Sequence, residues 1–198
     1  MIKNILNFPF MYQLLQTICL TENFRKNVIT EKIKSDNQII LDIGCDPGNM
    51  IKYLKFVNYY GFDSDKNYID YAKNKYKGCS FFLEEFSLKS TKKIEKVDTV
   101  LLSGLLHHLS DDEIKELMSA IKLSVKKKFQ IIILDPVIYE KQNSIARFLI
   151  KNDSGKFVRD EIGYLKLFKE FQLNYKHKIH HQKIVPYTWI VSEITSFN

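Results

Sequence analysis

Leu41-Asp42-Ile43-Gly44-Cys45-Asp46-Pro47-Gly48-Asn49 is the stretch that decides the fold. It completes an apolar run, Gln38-Ile39-Ile40-Leu41-Asp42-Ile43, that predicts a buried strand, and it passes through a glycine-bearing turn into a predicted helix. A strand, a tight turn and a helix let the backbone approach a ligand at the carboxyl end of the strand, where open α/β sheets bind. Outward from this point the pattern repeats. Further strands are predicted at Val57–Phe62, Ser80–Leu83, Val97–Leu102 and Gln130–Leu134. Asp65 can cap a helix with Ile69, Ala72 and Tyr76 on one face. Ser110-Asp111-Asp112-Glu113 is a capping box ahead of the stripe Ile114, Leu117, Met118, Ile121 and Val125. Strands separated by helices require crossovers and give a mostly parallel sheet with helices on its faces. Beyond the fifth strand, residues 139–172 read as helical around a polar turn at Asn152–Lys156, followed by strands near Leu173–Ile179 and Tyr187–Ile194. Ahead of the first strand, Phe10–Leu20 and Glu22–Ile33 read as two helices.

The turn could hold a dinucleotide or S-adenosylmethionine, and charge separates the two. A dinucleotide fingerprint places its second glycine where Asp46 stands, and a carboxylate near a pyrophosphate is repelled. S-adenosylmethionine has no phosphate, and its sulfonium and α-ammonium groups favour a nearby carboxylate. Asp63 ends the second strand 21 residues beyond Asp42, which suits an acid that accepts from ribose hydroxyls about 20 residues on.

Composition removes other classes. With 198 residues, 45% hydrophobic and 27% charged, the chain is neither disordered nor fibrous and suits one domain. No apolar run reaches the roughly 18 residues of a membrane span, and the interrupted N-terminus MIKNILNFPFMYQLLQTICL is not read as a signal peptide. Cys19, Cys45 and Cys79 are scattered, which argues against a disulfide framework or a zinc site and for a reducing cytoplasm. The net charge of +7 raises nucleic acid as a partner. It is carried by Lys, however, with Arg only at 25, 147 and 159, and Arg is the residue for bidentate phosphate and base contacts. The densest clusters, Lys126-Lys127-Lys128 and Lys92-Lys93, are expected at helix ends or loops. Nucleic acid is therefore not expected. His177, His180 and His181 form a patch with no Cys or carboxylate at ligand spacing, so no metal is expected.

The stretch from Asp42 to Gly48 resembles motif I of the class I S-adenosylmethionine-dependent methyltransferases, of the small-molecule type 11/12-like subgroup, with Asp46 in place of the middle glycine. Matches in order and spacing cover residues 38–136, and weaker ones extend over the rest. The resemblance implies a Rossmann-like, seven-stranded, mostly parallel sheet with helices on both faces, an antiparallel last strand and an N-terminal helical lid. It implies one domain, 1–198: lid 1–37, cofactor-binding half 38–136, helical insertion and C-terminal strands 137–198. The implied cofactor contacts are Asp42, Gly44, Cys45, Asp46, Gly48, Asp63, Ser64, Glu85 (for the adenine amino group, with Glu84 as fallback), Phe86, Ser103, Tyr12 and Arg25. Asp46 either bonds the cofactor ammonium or alters the turn. In the segment Ser103-Gly104-Leu105-Leu106-His107-His108-Leu109-Ser110-Asp111, His107 is expected to face the acceptor as general base, with His108 behind it. Arg159 and Tyr187 lie in segments resembling the family's C-terminal part and are expected at the substrate, Arg159 or Arg25 taking an anionic group. The Gly-Gly turn usual before the fifth strand is replaced by Lys127-Lys128. The expected partner is a small-molecule methyl acceptor. A catalytically degenerate binding subunit and a dinucleotide oxidoreductase stay as alternatives, the first supported by Asp46 and the second opposed by it.

Overall fold

The computed structural model describes residues 21–33, 36–151, 155–182 and 186–197. Seven strands form one sheet in the order β3-β2-β1-β4-β5-β7-β6. The described residues divide into two compact units, one up to Phe86 and one from Ser87 onward.

In the first unit β1 (Ile39–Ile43), β2 (Asn58–Asp63) and β3 (Ser80–Leu83) are parallel, with Asp42 beside Gly61 and Phe62 beside Phe82. Every residue of β1 is buried, as suits a strand covered on both faces. Helix α1 (Thr21–Lys32) is held by a buried carboxylate: Glu22 accepts from the Tyr53 hydroxyl at 2.9 Å and pairs with Lys52 at 2.6 Å. Helix α2 (Lys66–Lys75) begins at Asp65, whose side chain accepts from the amides of Asn67 and Tyr68, and it buries Ile69 and Ala72. A helix was expected after the motif turn; the crossover instead contains a single 3-10 turn, Ile51–Tyr53. The backbone leaves the helical region at Leu54, which is extended at φ −104° and ψ 145°.

In the second unit β4 (Val97–Ser103) runs parallel to β5 (Val125–Pro136), and β7 (Tyr187–Phe197) is antiparallel to both β5 and β6 (Leu173–Gln182). Helix α3 (Asp111–Ser124) starts at the expected capping box, with Ser110 and Glu113 bonding each other's backbone amides. Helices α4 (Ser144–Lys151) and α5 (Glu161–Glu170) occupy the segment read as helical, and Asp160 caps α5 through the Gly163 amide at 2.7 Å. The core is Val100–Leu102, Ile131–Leu134, Ile190, Ile194 and the fully buried Tyr164. Lys126–Lys128, expected in a loop or helix end, belong to β5. The strand starts early because α3 stops at Ser124, Val125 pairs with Val97, and Lys126 meets Asp98 at 2.8 Å.

The expected helix over Phe10–Leu20, and Tyr12 with it, lie outside the described residues. The expected helix over Glu22–Ile33 is α1.

Candidate active site

Three left-handed residues within five shape the motif turn: Gly44 (φ 72°), Asp46 (φ 52°) and Gly48 (φ 78°). The amides of Gly44 and Cys45 both bond Phe62 O, at 2.8 and 3.1 Å, which locks the turn to the end of β2. A Cβ on Gly48 would stand 2.9 Å from both the Ile51 side chain and the Tyr76 ring, so the turn has no room for a larger residue there. Asp46 tolerates the left-handed conformation because Asp is among the few side chains that visit it.

Acids dominate this turn. The Asp63 carboxylate receives the Asp46 amide on Oδ2 at 3.0 Å and the Asp65 amide on Oδ1 at 2.8 Å. Asp46 receives Nη1 and Nη2 of Arg25, both at 3.4 Å on one oxygen. Asp42 is buried beneath them and accepts from the Tyr59 hydroxyl at 2.6 Å. Burial, followed by the nearby Asp46, raises Asp63 to about 6; burial raises Asp42 to about 7, against the opposing bond from Tyr59 and the Arg25 charge. The Cys45 thiol is pushed well above its usual range by burial and by these acids, so it stays protonated and is no nucleophile.

These shifts fix the sign of a pH effect. An acid whose pKa is higher folded than unfolded stabilises the fold below its unfolded value, and that stability is lost as pH rises through the folded value. The cofactor-free protein is therefore expected to lose stability between about pH 4 and pH 7 through Asp42 and Asp63. Thermal melts across that range check this; Asp42→Asn should flatten the slope, and S-adenosylmethionine, bringing positive charge to the acids, should flatten it further.

The residues present fit S-adenosylmethionine. A cluster of carboxylates suits a cation and hydroxyl donors and is unsuited to a pyrophosphate. Asn49, directly after the turn and 3% exposed, has a buried Nδ2 with no partner among the described residues, a donor left for a ligand. Other expected contacts are placed differently from one another. Ser64 and Glu85 are exposed at the ends of β2 and β3, and Glu84 is half-buried. Phe86, the apolar residue after Glu85, is a core residue packed edge-on against Phe62, centroids 4.9 Å apart.

In the second unit Ser103 is buried at the end of β4, and a 3-10 turn, Leu106–His108, follows it. His107 is buried, and its Nδ1 lies 2.9 Å from Asp135 Oδ1 near the end of β5. Asp135 is fully buried, and its Oδ2 accepts from the Tyr164 hydroxyl of α5. Burial and the neighbouring Asp135 push the Tyr164 phenol well above its usual range, so it remains a donor. A His whose Nδ1–H is held by a carboxylate presents Nε2 as its basic nitrogen. The His108 ring lies against that of His107, centroids 4.1 Å apart, but is exposed and lines an open surface depression with Ser110, Glu113, Lys156 and Phe157.

Arg159 is the larger correction. Its five N–H groups bond Leu106 O, Phe157 O, Leu109 O and, twice, the Asp111 carboxylate. With every donor engaged by the protein, it clamps the turn that carries His107 and has no N–H left for an anionic acceptor. The Phe157 amide adds a bond to His107 O at 2.9 Å. Gly155 closes the clamp: a Cβ there would overlap the His107 ring and lie 2.7 Å from His107 O. Gly155→Ala is expected to displace the turn and lower the melting temperature, as a core clash costs about 1–3 kcal/mol; differential scanning calorimetry checks it. Tyr187 is half-buried against Trp189, ring centroids 5.0 Å apart. His177 pairs with Glu161 at 2.9 Å and His181 with the Thr188 hydroxyl at 3.1 Å. Among the described residues no group of three or more His, Cys, Asp or Glu could hold a metal ion.

Residues 40–128 match the family model described as "Methyltransferase domain". This segment is a methyltransferase domain. The solved structures agree on the fold around it. An S-adenosylmethionine-dependent methyltransferase from Archaeoglobus fulgidus superposes with a TM-score of 0.73 at 14% identity, over 93% of this chain and 99% of that one. The plantazolicin methyltransferase BpumL, solved with a desmethyl-plantazolicin analogue and S-adenosylhomocysteine, gives 0.61 at 14% identity, over 91% and 84%. Human N-acetylserotonin methyltransferase, solved with S-adenosylmethionine, gives 0.69 at 13% identity, over 98% of this chain and 58% of that one. At such identities the likeness establishes the fold, and the methyltransferase domain is established for residues 40–128. A search of curated proteins by sequence gives no match. Among the described residues, no helix is long and apolar enough to cross a membrane.

Tyr59, Asp135 and Tyr164 are the site residues that sequence reasoning missed. Asp135-Pro136 at the end of the fifth predicted strand was the available signal, since in an open α/β sheet the carboxyl ends of the strands face the ligand.

Proposed function

We propose that this methyltransferase moves the S-methyl group of S-adenosylmethionine to an oxygen or nitrogen of a small-molecule acceptor, with His107 taking the acceptor's proton. The observation that carries the reading is the His107–Asp135 bond of 2.9 Å, closed behind Asp135 by Tyr164. When bound, the sulfonium supplies an activated methyl and a good leaving group. The protein's share is orientation, exclusion of water and removal of one proton. Asp135 fixes the tautomer of His107, and Arg159 with Phe157 holds its turn rigid. Gly44 to Gly48 would cradle the cofactor, Asp63 would accept from the ribose hydroxyls, Glu85 from the adenine amino group, and Ser103 and Ser64 would border it. Tyr187 is retained as an acceptor contact. The small acceptor is supported by the plantazolicin and N-acetylserotonin methyltransferases named above, and the reducing cytoplasm by the free Cys45 and Cys79.

Calorimetry with S-adenosylhomocysteine and with NAD tests the cofactor. The first should bind and the second should not; the reverse would make this a dinucleotide enzyme. Asp63→Ala should weaken S-adenosylhomocysteine by about 1.5–3 kcal/mol for each charge-assisted bond lost. Unchanged affinity would reject the role given to Asp63. Binding of S-adenosylhomocysteine with no turnover of any acceptor offered would favour the degenerate binding subunit.

A further inference from the structure

We propose that the amino ends of β4 and β5 form a docking surface for an anionic lipid bilayer, with the lysines that open β5 and the exposed Leu123 as its contact. The first observation is register. Val97 lies beside Val125 and Thr99 beside Gln130, so four residues of β5, Lys126 to Phe129, stand against the single Asp98 of β4. A bulge takes chain out of the regular ladder and re-aims its side chains, and this one carries three consecutive lysines. The second is charge. Lys96, Lys122, Lys127 and Lys128 are exposed here, and Lys126 is half-buried. Contacts hold the group together: Lys126 meets Asp98 at 2.8 Å, and Lys96 Nζ donates to Leu123 O. Lys122 stands over the Phe197 ring, 5.4 Å from its centroid, and Phe129 packs on that ring with centroids 5.2 Å apart. Against these five lysines stand Asp98, engaged by Lys126, and Glu95, the chain neighbour of Lys96. Lys127 and Lys128 make no ion pair among the described residues.

Leu123 decides what kind of anion fits. It is 55% exposed in the last turn of α3, with Lys122 before it and Lys96 on its carbonyl. A leucine held in water among cations adds nothing to the binding of a polynucleotide, whose phosphates need charge, and lysine lacks the arginine fork that reads bases. On a bilayer of acidic phospholipid the lysines meet the headgroups as point charges, and the leucine enters the apolar boundary beneath them. The patch lies at the ends of β4 and β5 opposite to those that lead to His107 and Asp135, so docking leaves the His107 end of this unit clear of the lipid. The competing account is a solvated cluster in a chain rich in lysine throughout.

The two accounts part in co-sedimentation with vesicles of phosphatidylcholine alone and of phosphatidylcholine mixed with phosphatidylserine. Wild type should partition at least about tenfold more strongly onto the anionic vesicles, and salt at about 1 M, where the Debye length falls to about 3 Å, should release it. The double variant Lys127→Gln, Lys128→Gln should lower that partition about 25-fold, about fivefold for each lysine. The double variant Lys141→Gln, Lys151→Gln removes the same charge from exposed positions beside and within α4, and should stay within about twofold of wild type. Leu123→Ser should lower the partition about fivefold. All these side chains are exposed, so melting temperatures should stay at the wild-type value. Equal partition onto both kinds of vesicle, binding to neither, or equal losses in the two lysine pairs would overturn the proposal. Undiminished binding by Leu123→Ser, with RNA competing the protein off the vesicles, would make the patch a general polyanion surface and overturn the lipid assignment.

Discussion

Replacing His107 with glutamine should lower the rate of methyl transfer by roughly 10²–10⁴-fold, the range for loss of a positioned general base. Glutamine can still donate to Asp135 and is close in length, but its amide cannot accept a proton. The turn should hold, because Arg159 and Phe157 bond its carbonyls and not the His107 ring. Affinity for S-adenosylhomocysteine should therefore hardly change, since the residues assigned to the cofactor are concentrated in the first unit. Single-turnover kinetics and calorimetry on the same preparation separate the two effects. An imidazole must be neutral to take a proton, so the wild-type rate should fall on the acid side and this limb should vanish in the variant. Wild-type turnover in a folded His107→Gln protein would leave positioning as the whole of the mechanism. Joint loss of stability and cofactor affinity would make His107 a core residue.

Asp135→Asn should cost about 10²–10⁴-fold in kcat with little change in KM. The carboxylate fixes the proton on Nδ1 and leaves Nε2 basic. An asparagine can instead offer its own N–H to Nδ1, which moves the ring proton to Nε2 and turns the base into a donor. The substitution conserves volume at a fully buried position and keeps an acceptor for Tyr164. A structural role alone would show as a lower melting temperature with an unaltered pH profile. A positioning role shows as a changed profile in a protein that melts normally, and that is the expected result. Tyr164→Phe removes only the outer bond and should have a smaller effect, in the range of one hydrogen bond, about 0.5–1.5 kcal/mol.

Much of the first unit was legible because its signals are local. The run from Ile39 to Gly48 contains a strand, a turn and the reason for the turn within ten residues, and Asp63 is found by counting forward from Asp42. The capping box at Ser110 is likewise read from four consecutive residues. What was not legible depends on partners far apart in the chain. Asp135 looks like the end of an apolar strand until it is seen 28 residues away from His107, at hydrogen-bond distance. Arg159, conspicuous by the scarcity of arginine, invited an anionic ligand; its actual partners are carbonyls 50 and 53 residues back, and a backbone carbonyl has no signature in sequence. Tyr59 reads as one more aromatic in a strand until its hydroxyl is placed on Asp42. The 3-10 turn at Ile51 was missed for another reason: a strand and a glycine turn announce where a helix starts, not how long it runs.

The clamp on His107 has a consequence for the order in which the protein comes to life on the ribosome. Synthesis proceeds from the N-terminus, at about 5–20 residues per second, and early segments can settle before later ones exist. A nascent chain that has emerged as far as Pro136 holds β1 to β5, the motif turn, His107 and Asp135. It lacks Gly155, Phe157, Arg159 and Tyr164, which together fix the 3-10 turn and back the carboxylate. The cofactor turn can thus mature while the catalytic turn is still loose. His107 is fixed only when the chain beyond α4 returns to β4, so, on the function proposed above, a growing or truncated chain would gain its grip on the methyl donor before the means to use it.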